Sequence, residues 1–268
     1  MALSADEIRS AAERLHQAEK TRRQIRQLSL DHPGITLEDA YAIQKAWVAI
    51  KVAEGRIVKG HKIGLTSKAM QSALNIDEPD SGILLDDMFF ADGGLVPSDR
   101  FIGTRVEAEL AFIMKPRLSG PNCTMFDVLN ATDFVVPALE ILDTRIERVD
   151  PATKSTRRIF DTIADNAANA WIVLGGRPLR PDDADLRWIG ALCYRNDQLE
   201  ETGLAAGVLN HPATSVAWLA NKIAANGLAL EAGQVVLAGS FIRSIETRKG
   251  DTIQADYGPW GTVNCYFA

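Results

Sequence analysis

Cysteine is scarce: the chain has three, Cys123, Cys193 and Cys265, in 268 residues. Scattered so widely, they suit neither a disulfide framework nor a zinc cluster, and we expect them reduced and packed. Long apolar runs are missing too. No window offers ~18 uninterrupted apolar residues, as a membrane-spanning helix needs. The start, MALSADEIRSAAERLHQ, lacks the apolar core of a signal peptide, so the expectation is a soluble, cytoplasmic protein. Basic runs are also absent. With 29 Lys and Arg against 35 Asp and Glu, the formal charge is −6, which argues against nucleic acid and anionic membranes as partners. The chain has no G-x-S-x-G nucleophile elbow, no internal repeat and no low-complexity segment.

The remainder is ordinary globular composition, 46% hydrophobic and 24% charged. Ser4 with Glu7 makes a capping box for a first helix, expected to run through Ile8, Leu15, Ile25 and Leu28 until His32-Pro33-Gly34 breaks it. Its basic stretch Arg22, Arg23 and Arg26 reads as a solvated face or an interface. Thr36 with Asp39 starts a second helix with Ala40, Ile43, Trp47 and Ile50 on its apolar side. Ser67 precedes a third, Thr124 with Asp127 opens a fourth, and His211-Pro212 a fifth. Strand-like runs dominate from Arg105 onward, with hairpins expected at Asn196-Asp197 and Lys249-Gly250. Irregular strands with few helices between them argue against an alternating α/β pattern. The fold class is α+β with a mixed, strongly curved sheet. We expect a helical N-terminal subdomain over residues 1–78 and a β-domain over 79–268.

One stretch resists a bland assignment. In RVEAELAF, Val106, Ala108, Leu110 and Phe112 alternate with Arg105, Glu107 and Glu109. Strand side chains alternate between faces, so the two glutamates share one, ~6–7 Å apart along the chain. A third, Glu140, sits inside the apolar run VVPALEIL, where a carboxylate must be protonated, ion-paired or metal-bound. One divalent cation held by all three would satisfy them together. All-oxygen ligands favour Mg²⁺, then Mn²⁺, and leave coordination positions open for a bidentate substrate. The competing reading is a solvated Glu-x-Glu pair, with Arg105 as a salt-bridge partner.

Lys62, flanked by Gly60 and Gly64, is either a proton shuttle with a lowered pKa or a lysine reaching to solvent. Asp80 in EPDSG is either its acid–base partner or a turn residue. Asp161, Asp165 and Asn166 in FDTIADNAAN can be turn and cap residues or can line a site. Ser240 in LAGSF follows a strand, where free amides can meet a carboxylate.

Read in order, KIGLTSKAMQ, DEPDSGIL, RVEAELAF, ALEILDTR, DTIADNAAN, LAGSF and DYGPWGTV resemble the 2-oxo-acid hydratase/decarboxylase group of the fumarylacetoacetate hydrolase superfamily. The match runs from about residue 4 to the C-terminus. It implies a curved mixed β-roll with a small helical N-terminal part, assembled into homo-oligomers of high order. It implies Glu107, Glu109 and Glu140 as ligands of Mg²⁺, with Mn²⁺ as a substitute, and Lys62 and Asp80 as catalytic groups in the pocket. His61 departs from what relatives often carry. The implied activity is that of a lyase hydrating a 2-oxo-alkenoate dicarboxylate in aromatic catabolism. A five-carbon monocarboxylate substrate, decarboxylation of 4-oxalocrotonate, C–C hydrolysis of an acylpyruvate and a non-catalytic partner-subunit role stand as alternatives. A dicarboxylate needs a cation for its far end; the candidates are His61, Arg157, Arg158 and Arg243, with Asp161 and Ser240 as further substrate contacts.

Overall fold

The computed structural model describes residues 2–74 and 76–268. In chain order the elements are α1 (Ala5–Thr21), α2 (Leu28–Asp31), α3 (Leu37–Ala53), β1 (Val58–Gly64), α4 (Lys68–Leu74), β2 (Asp80–Leu85), β3 (Phe89–Ala91) and β4 (Gly94–Val96). There follow β5 (Arg105–Met114), α5 (Met125–Ala131), β6 (Thr132–Leu142), α6 (Ile159–Ala164), β7 (Asn169–Leu174), β8 (Gly190–Arg195) and β9 (Gln198–Leu204). The chain closes with α7 (Pro212–Ala224), β10 (Val235–Leu237), β11 (Ile245–Glu246), β12 (Thr252–Asp256) and β13 (Thr262–Phe267).

Among the described residues, one sheet has the order β2-β1-β10-β5-β6-β7-β3, with β11 beside β5, and a second has β4-β13-β12-β8-β9. Both mix parallel and antiparallel pairs. Register shifts in β1, β5, β6 and β8 break the regular pairing, and such irregularities bend strands and curl sheets. Val106, Ala108, Leu110 and Phe112 point into the main core, which also takes Ala191, Cys193, Ile253 and Phe267 of the second sheet and Val216 and Leu219 of α7. The opposite face of β5 carries Glu107 and Glu109, over a smaller apolar floor of Ala111, Val136, Ala138, Ile172 and Leu237. Alternation therefore separates the chemistry from the main core.

The expected caps form at Ser4–Glu7, Thr36–Asp39 and Thr124–Asp127, and His211 caps α7 ahead of Pro212. The first helix is shorter than expected. It stops at Thr21 with Arg22 left-handed, because the next residues pair elsewhere: Ile25 bridges Ile146, and the Gln24 amide donates to the carbonyls of Thr144 and Ile146. Arg22, Arg23 and Arg26 therefore lie beyond the helix, and Arg26 pairs with Asp150 at 3.0 Å. Asn196-Asp197 turns the β8–β9 hairpin with both residues at positive φ, as expected. Lys249-Gly250 does not turn a hairpin. It joins β11 and β12, which belong to different sheets.

The N-terminal helices share a core with later elements, Leu15, Ile43 and Trp47 packing with Leu85, Ile146 and Ile163. Strand β1, within residues 1–78, lies between β2 and β10. Cys193 and Cys265 are buried, and all three cysteines are free. Among the described residues, no helix is long and apolar enough to cross a membrane.

Candidate metal and catalytic site

Residues of β1, β2, β5, β6 and β7, with the turn over 166–168 and the loop after β10, assemble the site. Glu107 and Glu140 are direct cross-strand partners, and Glu109 lies opposite Ala138, so all three carboxylates project from one face. Each offers an oxygen within 4.8 Å of the others. Glu109 and Glu140 are fully buried, and Glu107 is partly exposed. Burial, then Glu140, pushes Glu107 up to about 7 and Glu109 well above the usual carboxylate range. Glu109 Oε1 and Glu140 Oε2 are buried without hydrogen-bond partners. Buried polar atoms are rarely left so, and oxygens facing one another this closely suit a hard divalent cation.

The second oxygen of each buried glutamate is spoken for. Gly239 N–H donates to Glu109 Oε2 at 2.8 Å, and Asn169 Nδ2 to Glu140 Oε1 at 2.8 Å. Tyr257 stiffens the frame: its hydroxyl accepts from Glu109 N at 3.1 Å and lies 2.7 Å from the Ala138 carbonyl, spanning β5 and β6.

Lys62 enters from β1. Its Nζ is 3.3 Å from Glu140 Oε1 and donates to the Ala167 carbonyl at 3.1 Å. Burial alone would lower its pKa, but Glu140 above all, with Asp80, Glu107 and Glu109, holds it above its ordinary value. The lowered pKa expected from desolvation is thus reversed, because four carboxylates surround the ammonium. Asp80 faces it from β2. Burial raises its pKa against the pull of Lys62, and its Oδ1 has no partner. Glycine permits the approach: a Cβ on Gly64 would stand 2.3 Å from Asp80 Oδ1 and 3.2 Å from Lys62 Nζ.

The carbonyl facing Lys62 comes from a strained turn. Asn166, Ala167 and Ala168 have φ of 53°, 51° and 56°, a left-handed run that non-glycine residues disfavour by ~1–2 kcal/mol each. Arg145 holds it from behind, paired with Asp165 and donating to the carbonyls of Asp165 and Asn169. Asn166 locks it to β2, donating to the Ile83 carbonyl at 2.9 Å and accepting from Ile83 N at 2.8 Å. In DTIADNAAN, then, Asp165 and Asn166 build the turn and Asn169 touches the carboxylate.

The remaining candidates lie elsewhere. His61 neighbours Lys62 on β1 and so projects to the opposite face, where burial lowers its pKa to about 4 and leaves it uncharged. Asp161 is saturated, accepting from Ser29 N, Ser29 Oγ and Arg158 N. The Ser240 hydroxyl bonds within its own loop to the Ile242 backbone; the amide that meets Glu109 is that of Gly239. Arg243 is exposed and paired with Glu201, and Arg158 is exposed. Arg157 is half-buried, its Nη1 donating to Thr144 Oγ1 at 2.7 Å, with Asp80 near enough to act on its charge. Sequence reasoning missed Asn169, Tyr257 and Gly239, although the quoted motifs contain or adjoin each.

No protein-family model matches the chain. It is 63% identical over 256 residues to 2-oxo-hept-4-ene-1,7-dioate hydratase of Escherichia coli, covering 96% of each. It is 36% identical to 2-keto-4-pentenoate hydratase of Paraburkholderia xenovorans, over 96% of this chain and 93% of that one. The structure of 4-oxalocrotonate decarboxylase from Pseudomonas putida G7, complexed with magnesium and adipate, superposes with a TM-score of 0.94 at 33% identity, covering 99% of each chain. With such identity along nearly its whole length, the chain belongs to the 2-oxo-acid hydratase/decarboxylase family of the fumarylacetoacetate hydrolase superfamily.

Proposed function

We propose that this chain is a Mg²⁺-dependent hydro-lyase of aromatic catabolism that converts 2-oxohept-4-ene-1,7-dioate and water into 4-hydroxy-2-oxoheptane-1,7-dioate. One observation carries this function: a carboxylate trio with two buried, unpartnered oxygens, those of Glu109 and Glu140, set against Lys62 and Asp80 in a chain 63% identical to a hydratase of that substrate. Glu107, Glu109 and Glu140 hold the ion, which supplies positive charge to the 2-oxo-acid end of the substrate.

The protein's own groups move the protons. A base takes one from C3, between the ketone and the C4=C5 double bond, and an acid returns one to C5, leaving C3=C4 conjugated with the ketone. Water then adds at C4 and C3 regains a proton. Lys62, held charged by its carboxylates, suits the acid role, and Asp80, with a free oxygen and a raised pKa, suits the base. The Ala167 carbonyl and Glu140 fix the ammonium, so the proton is delivered from one position.

Kinetics with the seven-carbon dicarboxylate and with five-carbon 2-oxopent-4-enoate test the assignment. The dicarboxylate is expected to have the higher kcat/KM; the reverse order makes the chain a pentenoate hydratase. The close superposition on a decarboxylase favours a second reading, which CO₂ release from 4-oxalocrotonate would establish.

A homo-oligomer of high order belongs to the proposal, supported by the exposed apolar side chains of Trp188, Leu192, Leu199 and Leu204 around the β8–β9 hairpin. A cytoplasmic location, supported by the free cysteines, belongs to it as well, as does the division near residue 78.

A further inference from the structure

Arg105, two residues before Glu107 on β5, lines a cavity of about 550 Å³ whose wall also includes Thr144, Arg148, Glu246, Arg248 and Lys249. Arg148 forms part of its wall, and Arg157 packs beside Arg148. The segments around residues 149 and 156 bridge in antiparallel fashion, and Arg157 N–H donates to the Arg148 carbonyl at 2.9 Å, so the two residues stand side by side. Arg157 Nη1 is fixed by Thr144 Oγ1, itself on the cavity wall. Arg148 Nη2 is buried with no hydrogen-bond partner. Among the described residues, neither Arg148 nor Arg157 has a carboxylate within ion-pair distance, whereas Arg105 is paired with Glu246. Unpaired guanidinium groups packed together and partly desolvated are costly unless an anion completes them.

The cavity is aligned with the site. Arg105 precedes Glu107 by two residues on β5 and shares its face, a Cα spacing of ~6–7 Å. Arg157 lies close enough to Asp80, and Arg105 to Glu107, for their charges to influence one another. The arginines thus neighbour the Glu107 and Asp80 side of the site. A seven-carbon chain with a carboxylate at each end has one anionic group for the carboxylate-bound ion and one for the arginines.

We propose that Arg148 and Arg157, with Arg105 at the rim, bind the far carboxylate of the dicarboxylate substrate and select for it over shorter monocarboxylates. The proposal rests on the function given above, and its test separates the two. Arg148→Met and Arg157→Met keep the side-chain volume and remove the charge; Arg148→Lys keeps the charge without the fork.

In each Met variant the ratio of kcat/KM for the dicarboxylate to that for 2-oxopent-4-enoate falls about 10- to 100-fold, through KM rather than kcat, as expected for a lost charged hydrogen bond. Adipate, with a carboxylate at each end, weakens by a similar factor in calorimetric titration, while oxalate, which has no far end, keeps its wild-type affinity. Arg148→Lys recovers part of both losses. An unchanged ratio overturns the proposal, and so does parallel weakening of adipate and oxalate, which marks a structural role. If the wild-type protein turns over neither substrate, the function fails, and the adipate-to-oxalate comparison still decides the arginine pocket.

Discussion

Lys62 Nζ stands 3.3 Å from Glu140 Oε1 in a part of the sheet where Glu140 is fully inaccessible to water. Neither charge is tolerable there alone. Replacing Lys62 by Met leaves a buried carboxylate without its cation, a loss typically worth 3–5 kcal/mol. We expect a marked fall in thermal stability without metal, largely restored by Mg²⁺, and a loss of turnover of about 10²–10⁴-fold even with metal saturating. Thermal denaturation with and without Mg²⁺, alongside steady-state kinetics, checks both parts. Full turnover in Lys62→Met removes this lysine from proton transfer.

The pH dependence of the metal-free protein follows from Glu107. Its folded pKa, about 7, lies above its ordinary value, so between the two the folded state binds more protons than the unfolded one. Stability must therefore fall as pH rises through that window, by on the order of 3 kcal/mol for this group. Because buried, uncharged His61 acts in the opposite sense below about pH 6.5, the effect is read as a difference: in EDTA the wild-type melting temperature is expected to fall relative to that of Glu107→Gln from pH 5 to pH 8, and saturating Mg²⁺ to remove the wild-type fall. Parallel pH profiles for the two metal-free proteins contradict the burial argument.

Gly64 tests the closeness of Lys62 and Asp80. A methyl there would sit 2.3 Å from Asp80 Oδ1, so one side chain must move. Gly64→Ala is expected to cost about 1–3 kcal/mol in stability, as overpacking does, and to cut kcat while Mg²⁺ affinity holds. Denaturant unfolding, kinetics and calorimetry read the three effects separately.

Tyr257 spans β5 and β6 with its hydroxyl behind Glu109. In Tyr257→Phe the ring stays and buried backbone groups lose a partner, which costs about 1–3 kcal/mol. Mg²⁺ affinity is expected to weaken modestly with the loosened frame. Unaltered stability would show that the hydroxyl contributes nothing to holding the strands.

The residues that could be read beforehand are those governed by local periodicity. Glu107 and Glu109 share a face because strands alternate, and Glu140 announces itself as an acid in an apolar run. The same rule, applied to β1, excludes His61 from the face of Lys62, yet adjacency in sequence suggested the contrary. Gly239 could not be told from Ser240, because which amide meets Glu109 depends on how the chain leaves β10. The pairing of Arg148 with Arg157 was equally hidden, resting on a bridge between segments with no turn signature. The first helix was overextended because Gln24 and Ile25 bond to residues more than a hundred positions away, which no local pattern encodes.

The central claim is that Glu107, Glu109 and Glu140 hold one divalent ion between them. Calorimetric titration of Mg²⁺ into the wild-type protein and the Glu107→Gln, Glu109→Gln and Glu140→Gln variants tests it most directly. One ion per chain is expected in the wild type, with affinity at least tenfold weaker in every variant. Wild-type affinity retained in all three would mean that the ion, and the chemistry built on it, belongs elsewhere.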